Sequence, residues 1–494
     1  MLSVLATFTP FSDHNQSPRN MYQCQMSKQT MGTPCHAFDT CSDNRIYRIF
    51  SPQSPVIRPS SYFQHSMDDY AQGLNSVVAV ISYTGYDMED AMIINKCSIE
   101  RGFGHGCVYK NYKIDLTAAQ RRTSDRSHLQ FGTVGGVSSE VSRFLDPDGL
   151  PIIGSLLMKG MPFYAYYDIF SLKQVVQFYQ HEEGWVEKVS LMGPTKRVFS
   201  IQAGFQNVCI KVRISRNVTI GDKFANRHGQ KGICSKLWPT ENMPFTETGI
   251  TPDILFNPHG FPSRMTIGMT IELLAGKAAC INGCKYDSTA FRFSSQTPAH
   301  LSFSEELFRA GYNYFGTERM YSGLSGYEFE SDIFLGPIYY QRLRHMVSDK
   351  FQVRTTGSVN PVTHQPVQGR KRAGGMRFGE MERDCLLSHG ASFLLKDRLL
   401  NCSDKAYFYV CLQCGNLISS MYNHLRIYFE DSPIYTYHLL HIDLDNYSSN
   451  YKYDWLCNVC GEFGYSKLVV LPFVFRLLIF EMASMRIKLS LKVN

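Results

Sequence analysis

The sequence predicts a mixed α+β, β-rich, multidomain fold, on three observations. Apolar and polar residues alternate with a period of two through much of the first half, and helical periodicity concentrates in the second half. The third is length: 494 residues suffice for about three domains. With 44% hydrophobic and 19% charged residues and no low-complexity tract, the chain can build cores and is neither disordered nor collagen-like.

Short alternating segments joined by Gly and Pro turns run from Ser76 to about Ile220. In 208–214 the apolar residues take one face while Lys211 and Arg213 take the other, as in a strand between core and a polar partner. Helical spacing predicts helices over 269–279, 304–311, 338–350 and 473–485, the last with Pro472 at its first position. Residues 486–493 alternate again, with Ile487, Leu489, Leu491 and Val493 on one face. A chain ending in a strand is expected to pair with something, another polypeptide included. Between 352 and 379 lies a Gly/Pro/Thr/Arg-rich stretch longer than an ordinary loop, of the kind that is functional or disordered.

Fifty Lys and Arg against 43 Asp and Glu give a net charge of +7. The excess is local. Residues 342–377 hold eight basic side chains (Arg342, Arg344, Lys350, Arg354, Arg370, Lys371, Arg372, Arg377) against Asp349, so the rest of the chain is close to neutral. Fifteen cysteines, most of them scattered, suit a reducing compartment with one metal site rather than a disulfide framework. The apolar N-terminus has no basic flank and reads as no signal peptide. The most apolar stretch, 468–480, is broken by Pro472 and Arg476 and is too short to span a bilayer. The sequons at Asn217, Asn401 and Asn446 are then without meaning.

Cys411-x-x-Cys414 and Cys457-x-x-Cys460 have the spacing of a tetrahedral zinc site. Their separation, 415–456, exceeds that of an ordinary ribbon, and His424, His438 or His441 within it are alternative ligands. Four cysteines close the coordination sphere and leave no catalytic position. Gly221 to Gly232 (GDKFANRHGQKG) sets three glycines among Lys223, Arg227, His228 and Lys231, which suits phosphate or a solvated basic loop. Asn257 to Met265 (NPHGFPSRM) leads into an apolar helix, so Arg264 either faces an anion at the helix start or is a mere neighbour of a cap at Ser263. Gly85 to Asn95 (GYDMEDAMIIN) places acids at 87, 89 and 90, to hold a divalent cation or to open a helix. Asp13 to Asn20 (DHNQSPRN) is a polar cluster that also suits a terminal coil. Gly102 to Gly106 and His181-Glu182-Glu183 lack the context of a nucleotide cradle or zinc protease and read as turns.

Taken in order, these motifs, with GGMRFGEMERD at Gly374 to Asp384, resemble the C-terminal half of the second-largest, β-like subunit of multisubunit DNA-dependent RNA polymerases. Residues 21–26, 82–86 and 392–395 resemble the polymerase I form most, with polymerases II and III as alternatives. The resemblance implies that Lys223 and Lys231 face the RNA 3′ end and incoming nucleotide, and that Arg264 and Arg19 contact the triphosphate. It places Glu89 and Asp90 near the second Mg²⁺, Lys28 and Gln29 on the RNA-DNA hybrid, and Arg370, Lys371, Arg372 and Arg377 on template and hybrid phosphates. Ser27 stands where the family pattern has glycine.

It further implies a double-psi-barrel-like hybrid-binding domain from 1–104 and 217–341, a β wall insertion at 105–216, a helical anchor and switch segment at 342–398, and a zinc-bearing clamp portion at 399–494. The largest subunit would hold the primary Mg²⁺ through an aspartate triad with no counterpart here, since Asp443-x-Asp445 lacks its context. Lobe and protrusion domains would also lie outside this chain, which alone should not polymerise RNA. Smaller polymerase subunits, DNA template, RNA-DNA hybrid and nucleoside triphosphates are the implied partners, in the nucleus and nucleolus, with no membrane. A non-catalytic zinc-ribbon nucleic-acid-binding scaffold is the competing class. It accounts for the cysteines and basic stretch but not for Lys223, Lys231, Arg264 and Arg19 matching one enzyme.

Overall fold

The computed structural model describes residues 3–116, 129–134, 141–192, 207–417, 420–422, 455–457, 459–460 and 466–493. They form two compact units, Met1–Asp349 and Lys350–Asn494.

In the first unit six strands close into a ring. Lys223–Asn226 pairs with Lys231–Trp238, followed by Ala91–Asn95, Ile254–Phe256, Leu74–Val80 and Ile333–Arg342, which pairs back onto Lys223–Asn226. Two pairings are parallel, between Lys231–Trp238 and Ala91–Asn95 and between Ile254–Phe256 and Leu74–Val80; the others are antiparallel. Val78, Met92, Ile94, Phe224, Cys234, Ile254, Ile338 and Tyr340 form one buried cluster contributed by every strand of the ring. Because side chains alternate across a strand, Lys223, Ala225, Lys231 and Ile233 take the face opposite Phe224 and Cys234. Helix Ile267–Asn282 lies against strand Ile333–Arg342, and Gly276 permits that approach: a Cβ there would stand 2.6 Å from the Pro337 carbonyl oxygen. A second, antiparallel sheet has the order Arg45–Ile49, Gly106–Asp115, Asn207–Arg216, Gly184–Leu191, Leu156–Leu157.

The helix expected over 338–350 is instead the end of strand Ile333–Arg342 followed by the short turn Val347–Asp349. Burial of 338 to 342 without a break erases the alternation that marks a half-buried strand. Strand Asn207–Arg216 forms as expected, but Lys211 is buried, its ammonium donating to the carbonyls of Phe38 (2.8 Å) and Asp39 (2.7 Å). Arg213 keeps the polar side and pairs with Glu187. The helices over 269–279 and 304–311 appear as Ile267–Asn282 and Ala299–Arg309.

In the second unit, helices Glu380–Ser388 and Ser392–Lys396 precede an antiparallel pair of strands, Lys405–Cys411 with Ser466–Pro472. Helix Phe473–Ser484 follows, with Pro472 as its N-cap rather than its first residue. Residues 486–493 form no strand. The period-two face is nonetheless used within the unit, where Leu489, Leu491 and Val493 pack on Val410, Leu417 and Ile479. Among the described residues no helix is long and apolar enough to cross a membrane.

Candidate functional site

Lys223 and Lys231 sit on neighbouring strands of one hairpin, in register with Ile233 and Ala225, so both rise from the same face two residues apart. Lys223 is half-buried and Lys231 exposed. Ala225, between them on that face, packs against Met26 of helix Ser17–Ser27. Arg19, in the first turn of this helix, is held by the hairpin turn. Gly229 adopts φ 75°, and a Cβ there would lie 2.3 Å from the Arg19 carbonyl oxygen, so only glycine lets the two backbones meet.

The other predicted cation arrives through the acidic loop. Asp90 forms an ion pair with Arg264, and its carbonyl accepts from the backbone N–H of Ile233 at 3.0 Å. Asn257 donates to the Asp87 carbonyl at 2.9 Å, joining the NPHGFPSRM turn to the GYDMED loop. Thus Arg19, Lys223, Lys231, Asp90 and Arg264 belong to one contiguous set of segments.

One expectation fails locally. The acids at 87–90 open no helix: Glu89 and Asp90 have φ 51° and 68°, strand Ala91–Asn95 follows, and Asp87 is buried accepting from the Tyr83 N–H. Glu89 stays exposed. Arg264 ends the short helix Gly260–Arg264 and precedes helix Ile267–Asn282 by three residues, so it neighbours that helix start without belonging to it.

Arg227 and His228, counted with the loop's charge, face inward. Arg227 donates to Glu272 (2.6 Å) and to the Ile57 carbonyl (2.7 Å), and His228 Nε2 meets the other Glu272 oxygen. Burial alone would push the Glu272 carboxyl up, but the Arg227 charge and the hydrogen bonds from His228 and Arg227 outweigh it and hold it down at about 2. The pair therefore contributes its full stability above the ordinary 4.5 and loses it as pH falls toward about 2. The Gly268 N–H donates to Asn15 Oδ1 (3.0 Å), which fixes that amide so that its Nδ2 donates to His228 Nδ1 (3.0 Å) and leaves the ring proton on Nε2. Sequence reasoning missed Glu272. Its signal was a lone acid in an apolar helix, IGMTIELLAGKAACIN, where an unpaired charge is costly.

Lys28 caps helix Ser17–Ser27 and is exposed, while the Gln29 side chain meets His345 Nε2 at 2.7 Å. Ser27 is helical and its hydroxyl donates to the Gln23 and Cys24 carbonyls, so serine replaces glycine without positive φ. Of the basic stretch, Arg342 is not available to a ligand. It is buried, paired with Asp222 at 2.7 Å and donating to the carbonyls of Gly104, Arg216 and Asn217; burial lowers its pKa against the pull of Asp222. In the second unit Arg370 stacks on Phe351 within the turn Arg370–Arg372, and Lys371, Arg372 and Arg377 are exposed. The segment 352–379 is stitched by Gln352 to the carbonyls of Gly374 and Gly375 and by Arg354 to those of Ser358 and Ala373.

The Sγ atoms of Cys411, Cys414, Cys457 and Cys460 all lie within 4.8 Å of one another. Cys411 ends strand Lys405–Cys411 and Cys457 ends strand Trp455–Cys457, so two strand pairs deliver the thiols. The Cys411–Cys460 and Cys414–Cys457 separations are 3.9 and 3.6 Å. Zn–S bonds of about 2.3 Å in a tetrahedron set sulfurs about 3.8 Å apart, whereas a disulfide needs about 2.05 Å. The cluster is compatible with structural zinc. His424, His438 and His441 and Asp443-x-Asp445 lie outside the described residues.

The sequence matches the family models for RNA polymerase Rpb2 domain 6 over residues 5–372 and Rpb2 domain 7 over residues 374–494. The chain belongs to the Rpb2 family of RNA polymerase subunits. It is 53% identical over 498 residues to the DNA-directed RNA polymerase I subunit RPA2 of Mus musculus, covering 100% of this chain and 41% of the relative. Against RPA2 of Dictyostelium discoideum the identity is 48%, over 100% of this chain and 42% of the relative. Against the polymerase I subunit RPA135 of Saccharomyces cerevisiae it is 53%, over 86% and 35%. The chain spans about two-fifths of the length of the RPA2 relatives. The Rpb2 domain 6 match takes in the lysine hairpin, Arg19 and Arg264, and the domain 7 match takes in all four cysteines.

Proposed function

We propose that the chain is the nucleotide- and hybrid-binding portion of the second-largest subunit of DNA-directed RNA polymerase I, which transcribes ribosomal RNA in the nucleolus. One observation carries this reading: Lys223 and Lys231 share an outward face, bordered by the segment of Arg19 and by Arg264. Nucleotidyl transfer builds negative charge on the α-phosphate and on departing pyrophosphate, and fixed cations in a site closed to water stabilise both. Lys223 and Lys231 then act at the RNA 3′ end and incoming nucleotide, and Arg264 and Arg19 on the triphosphate.

Glu89 and Asp90 are an incomplete donor set for Mg²⁺, and the four-cysteine cluster is the one metal-type group among the described residues. By the family resemblance, the largest subunit supplies the primary Mg²⁺ site, with Glu89 and Asp90 near the second ion. Mg²⁺ there neutralises phosphate oxygens. Asp90 meanwhile balances Arg264. Lys28 and Gln29, with Arg370, Lys371, Arg372 and Arg377, bind the RNA-DNA hybrid and DNA template. Zn²⁺ on Cys411, Cys414, Cys457 and Cys460 is structural.

The closed ring supports a double-psi-barrel-like hybrid-binding domain from 1–104 and 217–341, and the second sheet, with four of its five strands inside 105–216 and the edge strand Arg45–Ile49 outside it, supports a wall-like insertion there. An anchor and switch segment at 342–398 and a clamp portion at 399–494 complete the layout. The test is Lys231→Ala in the full-length subunit, assembled into the complete polymerase. Nucleotide addition should fall about a hundredfold, corresponding to ~3 kcal/mol, with assembly retained. Unchanged elongation would overturn the reading.

A further inference from the structure

We infer that Glu272, 45 residues along the chain from Arg227, is the positioning residue for the whole cationic face, acting through the buried turn that joins the two lysine strands. This rests on the reading of Lys223 and Lys231 as nucleotide-facing.

The geometry is that of a single ionised anchor with arms to each segment of the site. Glu272 Oε1 accepts from Arg227 Nη2 at 2.6 Å and from the Tyr339 N–H at 3.2 Å, and Oε2 meets His228 Nε2. Arg227 and His228 occupy the turn between Lys223–Asn226 and Lys231–Trp238, so both lysine strands leave from residues held by this carboxylate. His228 passes the connection to Asn15, four residues before Arg19. Asn15 in turn takes the N–H of Gly268, four residues after Arg264. Tyr339 brings in the strand that closes the ring against Lys223–Asn226.

The anchor is charged, buried and hard to replace. The side chains of Glu272, Arg227 and His228 are 2%, 4% and 0% exposed. Arg227 Nε and Nη1 find no hydrogen-bond partner among the described residues, and Arg227 lines a cavity of about 20 Å³ together with Gln23, Tyr62 and Gln341. Glu272 and the Ile57 carbonyl therefore fix the guanidinium by one edge only. Neutralising Glu272 leaves a buried cation with only neutral acceptors and the Tyr339 ring, 5.0 Å away, and the turn shifts to relieve it. Displacements near 1 Å in a positioned cation are enough to lose one to two orders of magnitude in reaction.

The test uses the complete polymerase reconstituted with Glu272→Gln, which preserves volume but removes the charge and turns one of the two acceptor oxygens into an amide donor. Single-nucleotide addition is measured against triphosphate concentration in purified, assembled complex. Positioning predicts a KM for the nucleotide raised roughly tenfold or more. A purely structural role lowers the active fraction, and so the apparent kcat, while KM stays at the wild-type value; that result overturns the inference. If Glu272→Gln does not assemble, Arg227→Lys decides, since it keeps the core charge balance but replaces the planar guanidinium, whose Nη2 serves both Glu272 and the Ile57 carbonyl, by an ammonium on a shorter side chain. A raised KM again supports positioning, and a wild-type KM refutes it. Lys231→Ala run in parallel separates the two levels. If it impairs addition while both core variants keep the wild-type KM, only the role of Glu272 falls. If it too is silent, the nucleotide-facing reading falls.

Discussion

Cys457→Ser in the second unit should abolish the binding of one zinc ion per chain and with it the pairing of strands Lys405–Cys411 and Ser466–Pro472. The sulfur separations of 3.6 and 3.9 Å bracket the roughly 3.8 Å of a tetrahedral ZnS₄ site. Structural zinc contributes on the order of 10 kcal/mol in small domains, comparable with the whole stability of such a unit, so losing a ligand is not a local event. Protons compete for the same atoms. Hydrogen bonding to Cys414, reinforced by burial, pushes the Cys460 thiol up to about 12, and burial raises Cys414. At neutral pH without a cation these two thiols keep their protons, and zinc must displace them. Every ligand thiol that is protonated at the working pH gives up its proton to the metal, so apparent affinity falls as pH is lowered, about tenfold per unit of pH for each displaced proton. The assay is metal content by mass spectrometry of the purified full-length subunit, with a chelator titration at pH 6, 7 and 8. One zinc per chain is expected, lost in Cys457→Ser and retained in His441→Ala. Retention of zinc in Cys457→Ser, a pH-independent affinity, or two disulfides by peptide mapping would refute the reasoning.

Asp222→Asn removes the counter-charge of Arg342, a pair whose side chains are each 1% exposed, and should cost about 3–5 kcal/mol, whereas Asp384→Asn on the solvent-exposed Arg383 pair should leave the melting temperature unchanged. Equal melting shifts for the two in the reconstituted complex would contradict this. Gly229→Ala forces an L side chain into φ 75° and against the Arg19 carbonyl; a raised nucleotide KM in assembled enzyme is expected, and wild-type kinetics would be inconsistent with that close approach. Replacing Arg370, Lys371, Arg372 and Arg377 together by alanine should flatten the dependence of log affinity for nucleic acid on log salt by about 0.9 for each phosphate no longer neutralised, or ~3.6 for four. An unchanged slope would remove these residues from the interface.

How far the fold could be read from sequence depended on how a segment is buried. Helix Ile267–Asn282 and strand Asn207–Arg216 were legible because a long apolar run and a repeated alternation each match one element. Strand Ile333–Arg342 was not. Its last residues are covered on both faces, and the apolar spacing continuing into Leu343 and Met346 imitates a helix. Charge misled for the same reason. Lys211 and Arg342 carry the mark of a solvated face, yet backbone carbonyls and Asp222 accept their protons inside. Those acceptors come from residues far along the chain, and no local window contains them.

The same limit explains which half of the candidate site was visible. Lys223, Lys231, Arg19 and Arg264 could be nominated from motifs because residues bordering a ligand are written in the loops that carry them. Arg227 and His228 stand in the same motif, and their opposite fate turns on Glu272, 45 and 44 residues away. A strand–turn–strand cannot present lysines at a fixed height unless its turn is fastened, and a turn made of Asn, Arg, His and Gly cannot be fastened by apolar packing. It needs an ionised acceptor inside the protein, which a core tolerates only when every oxygen is engaged. The isolated acid in an otherwise apolar helix and the basic pair in a glycine loop are therefore two halves of one requirement. Each is anomalous alone, and an unmatched charge on either side predicts the existence of the other.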